Sequence, residues 1–597
     1  MKFKILIQIA YFLYFFILLS LLEIYFQRLL SIFISYRYKY SLTACADFLV
    51  MGLNVDRTLK AAKKLEALNK PSEAVALYRN ILDVYPKNQR AITALKKVRH
   101  AANHPVSLPD NDGAVLELLT SLFSQEKYQN IIELRAQIAN QYPESAPLFN
   151  IIGIAFARLG AFDVAVTTFL YALERDPKNV NVHNNLGESY GRLGNYQAAL
   201  TSFRNATDLD PQFSKAFYNM ANTFFALGDT AAAIDIYKKS IALKPEFAPA
   251  SNNLGAAYLK AGQISEAFQS FARALRLNPQ YEDAFANLYH LSIQCPWQRR
   301  EFLKLRKRAQ PFSGIKTSIL ALIDAYIHEA SASVEAELSA LKLAERRNAF
   351  NALSAADQIF CSAYYKLIQA LVAQNKGFLS NKPDGSETRL IYHLGESHCL
   401  SFAHLKLRLE GQMYKVQPMI SFGTKVFHLS DAAQRPFSEI LRAQLRHLPK
   451  RSKVMLSFGE IDCRLHEGFL AVADARDIEL KDLIAETVAG YLRFVGGLAV
   501  EMQHQIFILN VPAPLHSSKS SAAENACVAN IVHLFNQSLA YHVHQSDMGL
   551  VDMHKFTSDS EGFSNRGFHC DESHLDGRAL QEIERRLTQD YAGTNPV

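Results

Sequence analysis

Cysteine is scarce in this sequence and shows no pairing pattern. The seven cysteines are scattered along 597 residues, their number is odd, and no two form a C-x-x-C pair. This distribution excludes a disulfide framework and a zinc ribbon. Unpaired thiols favour a reducing compartment, and the sequence therefore predicts that the bulk of the chain is cytoplasmic.

Excess charge of either sign is also small. The formal net charge is +7, and a dense basic run lies at residues 299–308. No aromatic platform or known nucleic-acid module accompanies this run, so we expect no nucleic-acid partner. The run is interpreted as a solvated helix face, with a lipid or nucleic-acid patch as the alternative.

What is present is enough apolar sequence for several cores. Hydrophobic residues make up 49% of the chain and charged residues 20%, as in folded proteins. A chain of this length exceeds one core, and three or four structural units are expected.

Charge is missing from the first long apolar stretch. The run from Ile5 to Leu22 contains no charged residue and is just long enough for a helix that spans a bilayer. No small-residue cleavage site follows Leu22 closely. We therefore predict a single-pass membrane anchor within residues 1–40, with a signal peptide or a buried helix as alternatives. Basic residues flank the stretch on both sides, so its orientation stays open.

Prolines recur at a fixed interval in the first half of the chain. They stand at Pro143, Pro177, Pro211, Pro245 and Pro279, and the intervals between them are all equal. Small and aromatic residues recur in step with them. These are Gly153, Gly187, Ala221 and Gly255; Phe156, Tyr190, Phe224 and Tyr258; Ala165, Ala199, Ala233 and Ala267; and Phe169, Phe203, Tyr237 and Phe271. Such a period predicts units of two amphipathic helices, each ended by its proline.

The repeated pattern resembles the tetratricopeptide repeat. Four units over residues 146–281 fit closely and a looser unit covers 112–145, so the array is assigned to 112–281. Residues 57–111 are predicted to form a separate tetratricopeptide-like helical pair and an irregular connector. Residues 282–380 have helical periodicity without the repeat signature and are predicted to form a capping or spacer bundle. The resemblance implies an all-α superhelix whose concave groove binds a protein or peptide partner.

Asparagines recur on the first helix of successive units. They are Asn184, Asn185, Asn219, Asn252 and Asn253. We predict that they line the groove, where their amides would hydrogen-bond the backbone of an extended peptide. A solvated helix face is the alternative.

After a polar linker, strands alternate with helices. Strands are predicted at 390–394, 414–418, 453–458, 505–511 and 549–553, and helices near 436–446, 480–500, 520–542 and 578–588. A helix is also expected from about Phe402. The alternation implies a mostly parallel sheet with helices on both faces, over residues 388–597.

Three turns of this domain are considered together: the turn after the first predicted strand, residues 457–464 after the third, and residues 570–575 near the end. Ser397 follows the first predicted strand, and Asp571 and His574 lie three positions apart just before the last helix. Serine hydrolysis needs a nucleophile, a general base and an acid that orients the base. Gly423 follows the second strand, and the backbone N–H groups of Gly423 and Ser397 are the candidate oxyanion donors.

Four blocks of the domain resemble the SGNH, or GDSL-like, hydrolase superfamily. They are Gly395-Glu396-Ser397, Gly423, Gly459-Glu460-Ile461-Asp462 and Asp571 to His574. The resemblance implies a flavodoxin-like α/β/α fold, with Ser397 as nucleophile, His574 as base and Asp571 as the residue that orients it. The third block departs from the family, because Ile461 stands where an asparagine donates to the oxyanion. Loss of one such donor costs about 10²–10³ in rate.

Charged residues near the third block are the candidate substrate-binding residues. Glu460, Asp462 and Arg464 are predicted to lie close to Ser397, together with His398, and Arg464 suits an anionic or sugar substrate. A structural ion pair of Arg464 with one of these carboxylates is the alternative.

A metal site is less well supported. The nearby cluster of His569, Cys570, Asp571 and His574 has metal-ligand residue types, but the adjacent Cys570 and Asp571 would compete for geometry. We therefore predict no metal and no cofactor.

These features predict a membrane-anchored tetratricopeptide protein with a serine-dependent SGNH-type esterase or acyltransferase domain. The resemblance implies O-acyl groups of a carbohydrate as the substrate. The alternative is a non-catalytic tetratricopeptide scaffold with a degenerate SGNH-like binding domain. Ile461 favours the alternative, whereas the set of Ser397, Asp571 and His574 favours the enzyme.

Overall fold

The computed structural model describes eight stretches of the chain. They are residues 55–67, 71–85, 88–102, 108–307, 314–374, 389–430, 435–571 and 574–592. The predicted membrane anchor and the polar linker before the C-terminal domain lie outside these residues. The chain divides into two compact units, Met1–Ser121 with Leu134–Pro143, and Leu122–Glu133 with Glu144–Val597.

The first unit is helical where it is described. Helices α1 (Val55–Ala67) and α2 (Pro71–Val84) form the pair predicted upstream of the array. A further helix, α3 (Gln89–Ala102), occupies the stretch that was expected to be irregular, and Ala91 is buried in a common core with Tyr78. The phase of the proline repeat is lost here, but the helical spacing of apolar residues continues, and it is this spacing that buries one face of α3.

The looser unit and the four close repeats are helical. Their helices are α4 (Asp112–Ser124), α5 (Tyr128–Glu133), α6 (Arg135–Gln141), α7 (Ala146–Arg158), α8 (Phe162–Arg175), α9 (Val180–Arg192), α10 (Tyr196–Leu209), α11 (Ser214–Ala226), α12 (Thr230–Leu243), α13 (Ala248–Lys260) and α14 (Ile264–Leu277). From α7 onward the helices come in pairs, and each recurring proline follows the C-cap residue of a second helix. The recurring alanines and the aromatics at Phe169, Phe203, Tyr237 and Phe271 are buried. The two-helix repeat predicted from the period is confirmed.

A bundle that we call the helical cap follows the array. Its helices are α15 (Glu282–Gln294), α16 (Arg299–Arg306), α17 (Ile315–Ile327), α18 (Ser331–Arg346) and α19 (Ala355–Gln374). Asp324 on α17 is buried and accepts two hydrogen bonds from Arg299, at 2.9 Å from Nε and 3.0 Å from Nη2. Arg299 belongs to the basic run predicted as a solvated face, so this member of the run forms a structural ion pair instead.

The C-terminal domain is built on a six-stranded mixed sheet. Its strands are β1 (Arg389–Gly395), β2 (Lys406–Leu409), β3 (Gln412–Ile420), β4 (Lys453–Ser457), β5 (Gln505–Leu509) and β6 (Gly549–Val551). The order is β2-β3-β1-β4-β5-β6, with β2 antiparallel to β3 and all other pairs parallel. The edge strand β2 lies where a helix was expected from Phe402. Leu407 and Leu409 are buried while Lys406 and Arg408 are exposed, a period of two that suits a strand and not a helix.

Helices cover both faces of this sheet. They are α20 (Val426–Ser430), α21 (Arg435–His447), α22 (Phe469–Arg476), α23 (Leu480–Met502), α24 (Ala522–Val543), α25 (Met553–Thr557) and α26 (Ala579–Ala592). Val454 and Leu456 of β4 pack with residues of α21, α23 and α24, whereas the intervening Met455 packs with residues of α26. Alternate residues of one strand therefore enter two different cores.

One described helix, α23, is long and apolar enough to cross a membrane by length and composition. Its Ile484, Val488 and Tyr491 are buried in the core that also holds Val454 and Leu456. The apolar character of α23 is thus accounted for by its packing on the sheet.

Candidate active site

The direction of the sheet order changes at β1. This strand pairs with β3 on one side and with β4 on the other, so successive connections leave it in opposite directions. Open α/β sheets bind ligands in the crevice at the carboxyl end of such a strand. The Ser421 N–H donates to the Gly395 carbonyl at 2.7 Å, so the loop after β3 runs beside the turn after β1.

The turn that carries Ser397 is tight. A Cβ added to Gly395 would lie 2.3 Å from Ser457 Oγ on β4, so a larger residue would push the two strands apart. Ser397–Leu400 then form one 3₁₀ turn in place of a longer helix. Ser397 is half-buried at the carboxyl edge of the sheet, while Cys399 behind it is fully buried.

The three residues predicted as a triad lie together. His574 Nε2 is 2.7 Å from Ser397 Oγ, and His574 Nδ1 is 2.8 Å from Asp571 Oδ2. Asp571 Oδ1 also accepts the His574 backbone N–H at 2.8 Å, which holds the two residues in one loop. His574 is 8% exposed. The arrangement has the geometry of a nucleophile, a general base and an orienting acid.

A narrow cavity lies beside this triad. Its wall includes His398 and Leu575, the neighbours in sequence of Ser397 and His574, and much of its lining is apolar, such as Phe402 and Met553. The ring centroids of His398 and His574 are 4.8 Å apart. His398, a predicted substrate-binding residue, therefore lies at the cavity beside His574.

A buried polar pair that the sequence did not single out also lines this cavity. His393 Nε2 is 2.9 Å from Ser457 Oγ, and both residues belong to the cavity wall. Burial, assisted by the charge of His398, lowers the pKa of His393 to about 3, so this imidazole is neutral at physiological pH. A histidine within an apolar strand is the only signal of this pair in the sequence.

The third block forms a tight corner around an ion pair. Gly459 has a φ of +119°, and a Cβ on it would lie 2.6 Å from the Phe535 ring, so only glycine fits there. Arg464 donates to both oxygens of Glu460, at 3.2 Å from Nε and 2.9 Å from Nη2, and to Glu467 at 2.8 Å. Burial by itself raises the pKa of Glu460, but the Arg464 guanidinium outweighs it and holds that pKa below its usual value. Glu460 and Arg464 thus form the structural ion pair given as the alternative, although Glu460 also reaches the cavity wall.

Asp462 does not face a substrate, and its assignment as a substrate-binding residue is wrong. Its side chain is buried, and its two oxygens accept hydrogen bonds from the N–H groups of Val426 at 2.8 Å and Phe427 at 3.1 Å. Burial raises the pKa of Asp462 to about 6. These are the first residues of α20, so Asp462 satisfies backbone donors at a helix start, where an acceptor is needed.

A cluster of possible metal ligands lies at the same place. Glu396, His398 and Glu460 each bring one ligand atom within 4.8 Å of the others. Glu396 is buried, its Oε1 has no hydrogen-bond partner among the described residues, and burial raises the pKa of its carboxyl well above the usual value. A cation here would have to compete with Arg464 for Glu460. The other candidate cluster, at residues 569–574, includes His574, whose two ring nitrogens are already bonded to Asp571 and Ser397.

The recurring asparagines join neighbouring repeats. Asn219 Nδ2 donates to Asn184 Oδ1 at 3.0 Å, and Asn185 Nδ2 donates to Asn150 Oδ1 at 3.0 Å. Further along, Asn287 donates to Asn252 at 3.1 Å, and Asn253 donates to Asn222 at 2.9 Å. Asn184 and Asn252 are buried, so the prediction that these amides line the groove for a peptide is wrong for them. Their positions on adjacent first helices bring the amides within reach of each other, and they bond across the repeat interface.

Among the asparagines of the array, Asn185 also borders an open groove. Residues of the second helix α8 contribute to this groove, and the first-helix residues that line it include Arg158, Asn185, Glu188, Arg192 and Lys215. Three of these five side chains are cationic and one is anionic. The array therefore offers a concave surface with an excess of positive charge.

Comparison with known proteins supports the repeat array. A family model of the tetratricopeptide repeat matches residues 152–214, 184–246 and 218–282. No curated protein sequence matches the chain. Similar solved structures include the MamA protein, 26% identical over 28% of this chain and 90% of its own, with a TM-score of 0.25. A thermophilic tetratricopeptide protein of Thermus thermophilus is 20% identical over 30% of this chain and 96% of its own, with a TM-score of 0.27.

The residues matched by the family model coincide with the paired helices. They run from within α7 to the first residue of α15, and the recurring prolines keep the same interval throughout. The sequence pattern, the helix pairs and the family model agree with one another. This chain contains an array of tetratricopeptide repeats.

Proposed function

We propose that the C-terminal domain is a serine-dependent ester hydrolase or acyltransferase of the SGNH type, carried by a tetratricopeptide array that binds a protein or peptide partner. The observation that carries the proposal is the hydrogen-bonded series of Ser397, His574 and Asp571, with distances of 2.7 and 2.8 Å. The strand order supports it. Numbered along the chain, the parallel strands β3-β1-β4-β5-β6 have the order 2-1-3-4-5 of flavodoxin-like folds, which the SGNH resemblance implies.

In the acylation step, Ser397 Oγ attacks the carbonyl carbon of the ester while His574 Nε2 takes the hydroxyl proton. The carbonyl π electrons move to oxygen and give a tetrahedral oxyanion. Asp571 stabilises the imidazolium and keeps the ring in the productive tautomer. When the oxyanion collapses, the bond to the alcohol oxygen breaks, that oxygen takes the proton from His574, and Ser397 carries the acyl group.

In the deacylation step, water or a second alcohol takes the place of the leaving alcohol. His574 accepts its proton as the oxygen attacks the acyl carbon, and the bond to Ser397 Oγ breaks as the proton returns to that oxygen. Water gives hydrolysis and a sugar hydroxyl gives transfer. The same residues serve either outcome, and the acceptor decides between them.

The N–H groups of Ser397 and Gly423 are the proposed oxyanion donors. Gly423 has a φ of +63° and is exposed, so its residue as a whole meets solvent. Ile461 supplies no side-chain donor. We therefore expect a slow hydrolase, because each donor is worth about 10²–10³ in rate.

The cavity beside the triad supports a short acyl group. The cavity is narrow, with about 20 Å³ open to the centre of a water molecule, and its lining is largely apolar, so it suits only a small group such as acetyl. A carbohydrate as the alcohol part follows from the SGNH resemblance. We propose His398 as a wall residue that contacts the bound ester.

A fluorophosphonate probe tests the proposal on the full-length protein. We expect one label, on Ser397, and turnover of an activated acetyl ester. Ser397→Ala should abolish both while leaving the fold intact, and Ser546→Ala, in the turn between α24 and β6, is the matched control that should retain both. The proposed enzymatic function would be overturned if the folded wild-type protein neither reacted with the probe nor turned over the ester.

The alternative is a non-catalytic scaffold, and one observation favours it. Ile461 stands where the SGNH family has an oxyanion donor. In that case the triad region would bind a ligand without acyl transfer, and the array would recruit a partner. Lack of probe reaction, together with carbohydrate binding by the wild-type protein, would support this function.

We also propose that residues 1–40 anchor the chain in a membrane, with its bulk in the cytoplasm. The uncharged run from Ile5 to Leu22 supports the anchor, since a helix of that length suffices to span a bilayer. Full-length protein should sediment with membranes and resist carbonate extraction, and deletion of residues 1–39 should release it. Full-length protein in the soluble fraction would contradict the anchor.

A further inference from the structure

The helical cap is bonded to the loop that follows β3. This loop, residues 421–425, carries Gly423, one of the two proposed oxyanion donors. The Phe422 N–H, one residue before Gly423, donates to Gln294 Oε1 at 3.0 Å. Gln294 is the last residue of α15 and is 2% exposed, so solvent does not compete for this hydrogen bond.

A second glutamine bonds to the same contact between the end of α15 and the end of β3, which we call the joint. Gln444 on α21 is buried, and its Nε2 donates to the carbonyl oxygen of Gln294 at 2.9 Å and to that of Ile420 at 3.0 Å. The end of α15 and the end of β3 thus share one donor. The hydrogen bonds on both sides of the joint are buried, where their loss is costly.

The Phe422 side chain is enclosed by rings of the helical cap. The His290 ring stacks on it with a centroid distance of 4.4 Å and an interplanar angle of 25°. Phe360 and Tyr364 meet it edge to face at 5.6 and 5.5 Å. Burial, with a contribution from the charge of Lys316, lowers the pKa of His290 to about 4, so the stacked imidazole is neutral at physiological pH.

The turn that carries Ser397 is buried in the same core. Cys399 and Leu400 belong to one hydrophobic cluster with Phe422 and with Tyr326 and Leu371 of the helical cap. Both chain segments that provide the proposed oxyanion N–H groups therefore pack on the helical cap. Phe422 has its side chain in that bundle and its backbone N–H bonded to it.

We propose that the helical cap is a structural part of the catalytic site and that Gln294 is a positioning residue for the Gly423 N–H. The inference rests on the proposed function. With Ile461 in the third block, more of the oxyanion stabilisation falls on backbone donors, and these act only when they are aligned. A displacement of about 1 Å at such a group can lower the rate by about 10²-fold.

The test compares variants of the full-length protein. Gln294→Met removes the acceptor of the Phe422 N–H and keeps nearly the same side-chain length. Gln294→Glu keeps an acceptor oxygen at that position and serves as the conservative rescue. Leu341→Ala removes a buried apolar side chain of α18 and is the matched control for loss of cap stability. Turnover of an activated acetyl ester and hydrogen exchange of the loop amides are measured for each variant.

We expect Gln294→Met to lower kcat by about 10- to 100-fold with little change in KM, and to speed hydrogen exchange at Phe422 and Gly423. Gln294→Glu should recover part of kcat. Leu341→Ala should lower Tm and retain kcat in the folded protein. The inference would be overturned if Gln294→Met kept the wild-type kcat and the wild-type rate of hydrogen exchange. It would also be overturned if Gln294→Met and Leu341→Ala lost kcat equally. Neither outcome would contradict the proposed function.

A different outcome separates this inference from the proposed function. If the wild-type protein shows no turnover and Ser397 takes no fluorophosphonate label, the proposed function fails. In that case, faster hydrogen exchange of the loop in Gln294→Met would show that Gln294 holds the loop in place without a catalytic role. The inference that Gln294 positions an oxyanion donor would then fail together with the proposed function.

Discussion

The carboxylate of Asp462 lies 2.8 Å from the backbone nitrogen of Val426, which stands 36 positions earlier in the chain. The second carboxylate oxygen accepts the N–H of Phe427 at 3.1 Å. The corner after β4 is thereby tied to the start of α20, just beyond the loop that carries Gly423. This residue of the third block acts on backbone geometry and not on a substrate.

Asp462→Ala should destabilise the protein, because it leaves two N–H groups at a buried helix start without their acceptor. We expect a loss of at least about 2 kcal/mol in the free energy of unfolding, measured by chemical denaturation followed by circular dichroism. Asp462→Asn keeps one acceptor oxygen and should lose less. Wild-type stability in Asp462→Ala, with weaker substrate binding, would return Asp462 to a substrate-binding role.

Two glycines of α9 should respond to alanine in opposite ways. A Cβ on Gly187 would lie 2.7 Å from the Phe203 ring, whereas the nearest atom to a Cβ on Gly191 is Ala199 Cβ at 4.0 Å. Gly187→Ala should cost about 1–3 kcal/mol through overpacking. Gly191→Ala should leave stability unchanged or raise it by up to about 1 kcal/mol, because alanine favours the helix. Thermal unfolding of both variants measures the difference, and equal effects would contradict close packing at Gly187.

The asparagine bonds between repeats should show energetic coupling. Asn219 donates to the buried Asn184 at 3.0 Å, so either alanine variant leaves the other amide without this partner. Each single substitution should cost about 1–2 kcal/mol, and a double-mutant cycle should give a coupling of about 1 kcal/mol. The pair of Asn184 with Asn287 on α15, three units further along, is the control and should be additive. Additive effects in both pairs would mean that the inter-repeat bonds are not formed in solution.

The Asp324 ion pair should make the stability of the helical cap dependent on pH. Burial alone raises the pKa of Asp324, but hydrogen bonds and charges from His328 and Arg299 outweigh it and lower that pKa to about 2. The folded pKa is therefore below the unfolded value of roughly 3.9, so the stabilisation is present above about pH 4 and is lost as the pH falls toward 2.

Asp324→Asn should accordingly lower stability by on the order of 2 kcal/mol at pH 7. The difference in Tm between wild type and this variant should shrink as the pH is lowered from 5 to 3. Glu335→Gln, on the neighbouring α18, is the control and should show no such convergence. A Tm difference that stays constant over this range would contradict an ionised Asp324.

The helical repeats were open to prediction because their signal is local. A repeat contacts mainly its neighbours, so the regular proline interval and the buried slots at Ala199 and Phe203 appear directly in the sequence. The repeat period places the asparagines on the correct helices but does not give their environment. Whether Asn184 meets solvent or Asn219 depends on how one repeat is rotated against the next, and helical spacing within a repeat does not contain that angle.

In the C-terminal domain, too, the local elements were predictable from the sequence whereas the environments of individual side chains were not. The strands of the parallel sheet were predicted from apolar runs, but the short edge strand β2 was missed, because four alternating residues after a 3₁₀ turn give a weak signal. The sequence pattern identifies the members of the third block as a group. Which of them faces the cavity was not predictable, since Asp462 turns inward to α20 while Glu460 reaches the cavity wall.

By itself the sequence determined the repeat array, the alternation of strands and helices, and the chemical types at Ser397, Asp571 and His574, because periodicity and residue type are local properties. Only the tertiary structure decided that His574 Nε2 lies 2.7 Å from Ser397 Oγ across 177 positions, and that the Phe422 N–H meets Gln294 across 128. Contacts at such separations depend on how whole elements pack. No short-range pattern at either partner encodes that packing.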